Sequence, residues 1–412
     1  MDVRTPTEEQ INTIFANRKD YDEKRYIHRE KYEKDLKREI ERWRYVFVTG
    51  ESGSGKTWLV DYYLSTNEKE KKYINLAEVG LVGRLTSYLE KSKQQVRTED
   101  KMAAKATIGA SFLSGSGEIT STYQINNDYL WDFIADNKDC IIVFDNFESI
   151  IQNADVLYDI SCLITLADDP RMKLYNPRFL IIGALKDVLK YFRTMPNYQT
   201  IENRVNTVLI NGFTDIETAS FVNRGFEECG FNTNKMNALT KRIYELTWGF
   251  PQAVNELCYY IAISHLDANE TNIIFPSRTV YKAEIEWVSR SMLAESQVIK
   301  GYFDENNIDN PLLNFILYAS SIFEMKEFSV EKMHAMVEQL IGDTSKRIPI
   351  TKVRSFLNRL SEQQENRNIL IKTKDNGYKF KSYKTLSCIS VVLDVKNDEV
   401  IFIDYLNNLY GI

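Results

Sequence analysis

The sequence predicts an α/β protein: a five-stranded parallel sheet with helices on both faces, followed by a largely helical C-terminal half. Three observations carry that expectation. Five short apolar runs alternate with helical stretches between Tyr45 and Ile210, the rhythm of a parallel sheet. A glycine-rich octapeptide, Gly50 to Thr57, joins the first run to an amphipathic stretch. Beyond residue 212 the apolar spacing turns helical, with a capping box at Thr214 and Glu217.

The first strand is Tyr45-Val46-Phe47-Val48, and the octapeptide follows it as Gly50-Glu51-Ser52-Gly53-Ser54-Gly55-Lys56-Thr57. This is Gly, four free positions, then Gly-Lys-Ser/Thr, in the strand–loop–helix frame that a phosphate-binding loop requires. Glycines and serines let the backbone curl so that successive N–H groups face an anion. The helix opening at Thr57 and Trp58 adds its positive end. Lys56 would reach the β- and γ-phosphates and the Thr57 hydroxyl would ligate Mg²⁺. The expected ligand is a nucleoside triphosphate, ATP, with its metal.

The second strand is expected at Lys72–Leu76 and the third at Cys140–Asp145, an apolar run ending in an acid. Asp145 then holds Mg²⁺ opposite Thr57. The next position, where many ATPases of this kind place a carboxylate to orient water, is Asn146, an amide that cannot accept a proton. The nearest carboxylate is Glu148, for which two roles stay open: turning to the γ-phosphate, or facing solvent at a helix start. Strands at Arg178–Gly183 and Asn206–Ile210 complete the set. An extra strand between the loop strand and the Asp145 strand is the mark of the additional-strand ATPases. The stretch 106–120 alternates about a Gly/Ser centre and predicts a surface β-hairpin.

Composition narrows the classes. Hydrophobic residues make up 43% and charged residues 27% of the 412, an ordinary globular balance. No apolar run approaches the ~20 residues that span a bilayer, and the first residues lack a leader's layout, so a cytoplasmic protein without a membrane partner is expected. Five scattered cysteines without CxxC spacing argue for reduced thiols, and three distant histidines argue against histidine-based chemistry. The chemistry belongs to the triphosphate.

Further on, Gly249 suits a left-handed helix exit and Pro251 the first turn of the next helix. The order of phosphate loop, Asp145-Asn146-Phe147-Glu148, Gly212-Phe213-Thr214 with Glu217, and Gly249-Phe250-Pro251 resembles the STAND and archaeal-type ATPases near AAA+. It covers roughly Tyr45 to His265. The resemblance implies a parallel P-loop ATPase core, a helical lid in which Gly249 and Pro251 sense the bound nucleotide, and often assembly into homo-oligomers or with a partner protein. It also implies an arginine finger at Arg204, just before the last strand, for a neighbouring subunit's γ-phosphate. The polar sensor expected at the end of the fourth strand is replaced by Gly183-Ala184, with Lys186 close by.

In the C-terminal part, helical runs near 311–317, 330–340 and 353–360 precede two short strands flanking Asp375-Asn376-Gly377. Three helices and a hairpin resemble a winged helix-turn-helix. Between Lys346 and Lys384 eleven Lys/Arg face three Asp/Glu, a local +8 in a chain of −6, leaving −14 elsewhere. That asymmetry is a footprint of phosphate-backbone binding, so duplex DNA is a candidate partner, with Lys352, Arg354, Asn358 and Arg359 opposite the apolar stripe. The expected organisation is a charged helical segment at 1–44, ATPase core at 45–212, lid at 213–300, winged helix at 301–396 and a tail at 397–412. Three functions fit. The first is a nucleotide-controlled switch of conformation or assembly, as in bacterial signalling or anti-phage defence. The others are a DNA-associated ATPase and an ATP-binding scaffold with little turnover.

Overall fold

The computed structural model describes residues 6–16, 21–93, 125–166, 169–170, 172–184, 187–323, 326–342, 347–362 and 367–403. The expected hairpin at 106–120 and Lys186 and Lys346 lie outside them. The chain forms two compact units, Asp20–Asn211, and Met1–Lys19 with Gly212–Ile412. The residues expected to form one N-terminal segment therefore divide between the units. Helix α1 (Glu8–Ile14) packs on α12 (Pro251–Asp267), where Asn255 donates to the Phe15 carbonyl at 3.0 Å.

Unit Asp20–Asn211 opens with α2 (Glu30–Arg42) and then runs β1 (Tyr45–Thr49), α3 (Lys56–Ser65), β2 (Lys71–Asn75), α4 (Leu76–Val82) and a helix at 85–93 (α5). It continues through α6 (Ile125–Asp136), β3 (Ile141–Asp145), α7 (Ala154–Thr165), α8 (Met172–Tyr175), β4 (Arg178–Gly183), α9 (Tyr198–Glu202) and β5 (Val205–Leu209). The strands form one parallel sheet in the order β2-β3-β4-β1-β5, so β4 separates the β1 and β3 ends. All five expected strands are present. The second ends earlier than its apolar run, because the Asn75 side chain accepts from Ala77 N–H at 3.0 Å and caps α4.

Strand alternation divides the core in two. Tyr45, Phe47, Ile142, Phe144, Phe179 and Ile181 point to one face, with α6 and α7. Val46, Val48, Ile141, Val143, Leu180 and Ile182 point to the other, against Leu36 and Ile40 of α2 and Leu59, Val60 and Leu64 of α3. Helices thus cover both faces of the sheet.

The other unit runs α10 (Asp215–Glu228), β6 (Asn232–Asn234), α11 (Met236–Thr247), α12, β7 (Asn272–Ile274), α13 (Arg278–Ser291) and α14 (Leu293–Asp309). The Thr214–Glu217 capping box starts α10, with Glu217 N–H on Thr214 Oγ1 at 3.2 Å and Thr214 N–H on Glu217 Oε2 at 2.8 Å. Three helices follow, α15 (Leu313–Ile322), α16 (Val330–Ile341) and α17 (Ile350–Ser361), then an antiparallel pair, β8 (Leu370–Lys372) and β9 (Tyr378–Phe380). Phe328 adds an antiparallel bridge to Tyr378. The connection between β8 and β9 is longer than a two-residue turn: Thr373 N–H donates to Gly377 O at 2.9 Å, and Asn376 takes a left-handed φ of 58°. Helix α18 (Tyr383–Val392) and a second hairpin, β10 (Leu393–Lys396) with β11 (Glu399–Phe402), end the described chain. No described helix is long and apolar enough to cross a membrane.

The face of α17 is less open than helical spacing suggests. Lys352 and Arg354 are exposed, but Asn358 and Arg359 are only half-exposed. Asn358 accepts from the Tyr378 hydroxyl at 2.7 Å. Arg359 donates to Asn306 at 2.8 Å and lies 4.8 Å from the centre of the Phe356 ring.

Candidate functional site

The loop after β1 is built around three left-handed glycines, Gly50 (φ 152°), Gly53 (φ 78°) and Gly55 (φ 86°). A side chain at Gly50 would collide with the Ile210 carbonyl, so only glycine lets the exits of β1 and β5 pass each other. Gly55 caps α3 in a conformation that L-residues avoid, and no side chain caps the helix. Its first N–H groups are therefore open to an anion. The Ser54 hydroxyl is fully buried without a hydrogen-bond partner among the described residues. Lys56 is 9% exposed and donates to Gly50 O at 3.1 Å and Glu51 O at 2.9 Å. Both bonds hold the ammonium inside the loop's own curve. An open helix end, an orphan hydroxyl and a captive ammonium fit a polyphosphate. Ser52 is exposed at the tip.

Thr57 follows Lys56 in the first turn of α3, at the sheet edge where β3 also ends. Asp145 closes β3 level with Asn75 of β2, and its Oδ1 accepts from Asn146 N–H at 2.7 Å. Asn146 is left-handed (φ 62°), and its amide donates to Asn75 Oδ1 at 2.9 Å. The turn Phe147–Ile150 then carries Glu148 back over the sheet edge, where its Oε2 accepts from Ala184 N–H at 2.9 Å. Burial pushes the Lys56 ammonium below the ordinary lysine range, opposed by Glu148 first and then by Asp145 and Glu51. The structure thus gathers Lys56, Asp145 and Glu148 at one edge. Thr57 and Asp145 suit Mg²⁺, and the loop with Lys56 suits the phosphates of ATP.

Arg204, Trp58 and Pro251 are the other expected residues. Arg204 donates to Thr200 O at 2.8 Å and precedes Val205, which pairs with Tyr45 at the far end of β1. At about 3.3 Å of rise per residue, roughly 15 Å of strand separates it from its own loop. Trp58 is partly buried and meets the Tyr21 ring edge-on at 5.9 Å. Pro251 belongs to the other unit, at the first position of α12.

Two participants escaped the sequence reading. Arg29 is 2% exposed and donates to Ser54 O at 3.0 Å and Asn211 O at 2.7 Å, with its guanidinium 4.5 Å from the Tyr32 ring centre. It ties the phosphate loop to the segment after β5. Asn75 fixes the Asn146 amide. The only hint of Arg29 in sequence was an arginine beside aromatics in a mixed-charge stretch, and Asn75 gave none beyond an asparagine at a strand end.

A parallel sheet in this order, with a glycine-cradled lysine beside the acid that ends β3, defines a P-loop ATPase. Residues 26–257 match the family described as an ATPase domain predominantly from Archaea, and the chain belongs to that family. Its fold is similar to that of the Walker-type ATPase PABY2304 of Pyrococcus abyssi (TM-score 0.52, 17% identity, 92% of this chain and 99% of that one). It is also similar to the ORC2 protein of Aeropyrum pernix (TM-score 0.49, 12% identity, 92% and 96%) and the RuvB Holliday junction branch migration motor of Thermotoga maritima (TM-score 0.43, 10% identity, 93% and 95%). No curated protein matches the chain in sequence.

Proposed function

We propose that this ATPase works as a nucleotide-controlled switch of conformation or assembly, holding ATP long enough for the bound state to act. The observation that supports this reading is the pair of asparagines behind Asp145. Asn146 stands where a water-orienting carboxylate is expected, and its amide is fastened to Asn75. When bound, Mg-ATP supplies the phosphoanhydride that is cleaved and the charge that is neutralised. The loop N–H groups and Lys56 bind the phosphates, Thr57 and Asp145 hold the metal, and Glu148 accepts the water's proton. The Ala184 N–H holds Oε2 of Glu148, which orients the carboxylate for that role. Arg204, too far to serve its own loop, reads as a finger for the nucleotide of a second copy. Gly249 and Pro251 read as the part of a lid that registers which nucleotide is bound.

The test compares tight Mg-ATP binding with single-turnover hydrolysis. Wild type should bind ATP firmly and turn over slowly. Asn146→Glu should raise the cleavage rate, whereas Glu148→Gln should lower it about 10²-fold or more with affinity kept. Fast wild-type turnover, or a Glu148→Gln protein as active as wild type, removes this reading.

A DNA-associated ATPase is the second reading, favoured by the basic C-terminal run and by the three helices and hairpin, which read as a winged helix. Lys352, Arg354, Lys372 and Lys379 remain exposed for duplex phosphates. DNA-stimulated hydrolysis lost on charge reversal at Lys352 and Arg354 would favour it. Activity indifferent to DNA but steep in protein concentration favours the assembly switch.

A further inference from the structure

We propose that the Gly249–Pro251 junction is coupled to the β8–β9 hairpin through one stacked pair, Phe250 on Tyr383, so that nucleotide binding is reported on the hairpin. The inference rests on the reading of the junction as nucleotide-sensing, and every contact it uses lies within the unit that begins again at Gly212.

The chain enters this unit directly on the junction. Phe213 N–H donates to Gly249 O at 2.5 Å, and a side chain at Gly249 would collide with the Phe213 carbonyl. A Cβ on Gly212 would lie 2.7 Å from the Trp248 carbonyl oxygen. The entering segment and the junction are thus in backbone contact, with no space between them. The junction itself is strained. Trp248 is left-handed at φ 54°, a conformation costing a bulky L-residue about 1–2 kcal/mol, and Gly249 follows at φ 65°. The Trp248 indole N–H is buried with no hydrogen-bond partner among the described residues. A strained turn with an orphan donor is the kind of element that two arrangements can share.

Phe250 sits between that turn and Pro251. Its ring stacks on Tyr383 with centroids 4.4 Å apart and planes 16° from parallel. Tyr383 is the first residue of α18, capped by Ser382, whose hydroxyl accepts from Lys384 N–H at 3.2 Å. Only Lys381 and Ser382 separate it from Phe380, the last residue of β9, so there is no slack between hairpin and helix. One turn further along α18, the buried Ser387 hydroxyl reaches the Leu246 carbonyl at the end of α11. Helix α18 therefore holds the chain on both sides of Gly249, at Leu246 before it and at Phe250 after it.

Along its length α18 is almost entirely buried and packs on α11, α13, α14, α15 and β10. A helix so enclosed moves as a body rather than bending, because packed interiors resist continuous deformation. A shift of Phe250 that accompanies rearrangement at Gly249 is then delivered to Tyr383 and on to β9. The hairpin is poised to respond. It has three residues per strand, Lys372 and Lys379 face solvent, and among the described residues the Phe328–Tyr378 bridge, with bonds of 3.0 and 2.9 Å, extends its ladder.

Hydrogen–deuterium exchange on the full chain, with and without a non-hydrolysable Mg-ATP analogue, tests the coupling. In wild type, exchange should change together at residues 246–253 and 370–380. In Tyr383→Leu the junction should still respond, and the hairpin response should fall at least about fivefold, the low end of ordinary coupling between sites. Phe250→Leu, at a partly exposed ring, should do the same and stands in should the buried Tyr383 variant fail to fold. The double variant should lose no more than either single one, as expected of a pair acting together. A hairpin that still responds in both variants overturns the coupling, as does a silent hairpin beside a responsive junction in wild type. A junction that stays silent while the analogue binds overturns the nucleotide-sensing reading, and the coupling with it.

Discussion

Replacing Arg29 by alanine removes two charge-assisted hydrogen bonds, to Ser54 O and Asn211 O, and the guanidinium lying over Tyr32. Each bond of this type contributes about 1.5–3 kcal/mol, because a buried carbonyl loses a charged donor. The ring contact adds about 0.5–1 kcal/mol. Opposing them is the several kcal/mol it costs to keep a guanidinium out of water at 2% exposure. The net expected loss is about 3 kcal/mol, or roughly a hundredfold in the balance between ordered and disordered loop at 1.4 kcal/mol per decade. For a unit of this size each kcal/mol moves Tm by about 2–4 °C, so a fall of roughly 6–12 °C is expected. Titration with a fluorescent ATP analogue should show Kd raised at least about tenfold, since the loop must be ordered before it can bind. Arg29→Lys keeps the charge but can satisfy only one carbonyl well, and should fall between the two. A folded Arg29→Ala protein with lowered Tm but Kd within about twofold of wild type would refute the reasoning. Arg29 would then support the fold alone.

Gly50→Ala should abolish nucleotide binding and lower stability, because the new methyl meets the Ile210 carbonyl; unchanged calorimetric binding would contradict that geometry. Lys56→Ala should lose ATP affinity with the fold intact by circular dichroism, and unchanged binding would move the site elsewhere. Burial lowers the Lys56 pKa in the free protein, and a bound polyphosphate raises it again, so binding takes up a proton at alkaline pH. Affinity should therefore be full below the depressed value and decline as pH rises through it, earlier than an ordinary lysine allows. Titrations between about pH 7 and 10 check this, and a flat profile would exclude it.

How much of this was legible depended on whether the determining contact was local. The phosphate loop could be read because its constraints lie within eight residues, and the strands because apolar runs need no partner to be recognised. Arg29 was not legible, since its acceptors lie 25 and 182 residues away. The same limit applied to α17. Its apolar stripe was readable, yet Asn358 and Arg359 flank that stripe, and neighbours contributed by other elements decide which way they turn. Tyr378 takes one and Asn306 of α14 the other. The β2 boundary turned on Asn75, whose side chain ends the strand by capping α4.

The end of β4 bears on how this protein tolerates change. A Cβ on Gly183 would sit 3.1 Å from that of Phe147, so the missing methyl is what seats the turn carrying Glu148. Ala184 then serves that carboxylate with its amide hydrogen rather than with a side chain. Swapping the alanine for most other residues leaves the donor in place, and only proline deletes it. A survey of side chains would pass over the position as inert, although the main chain there holds the Glu148 carboxylate.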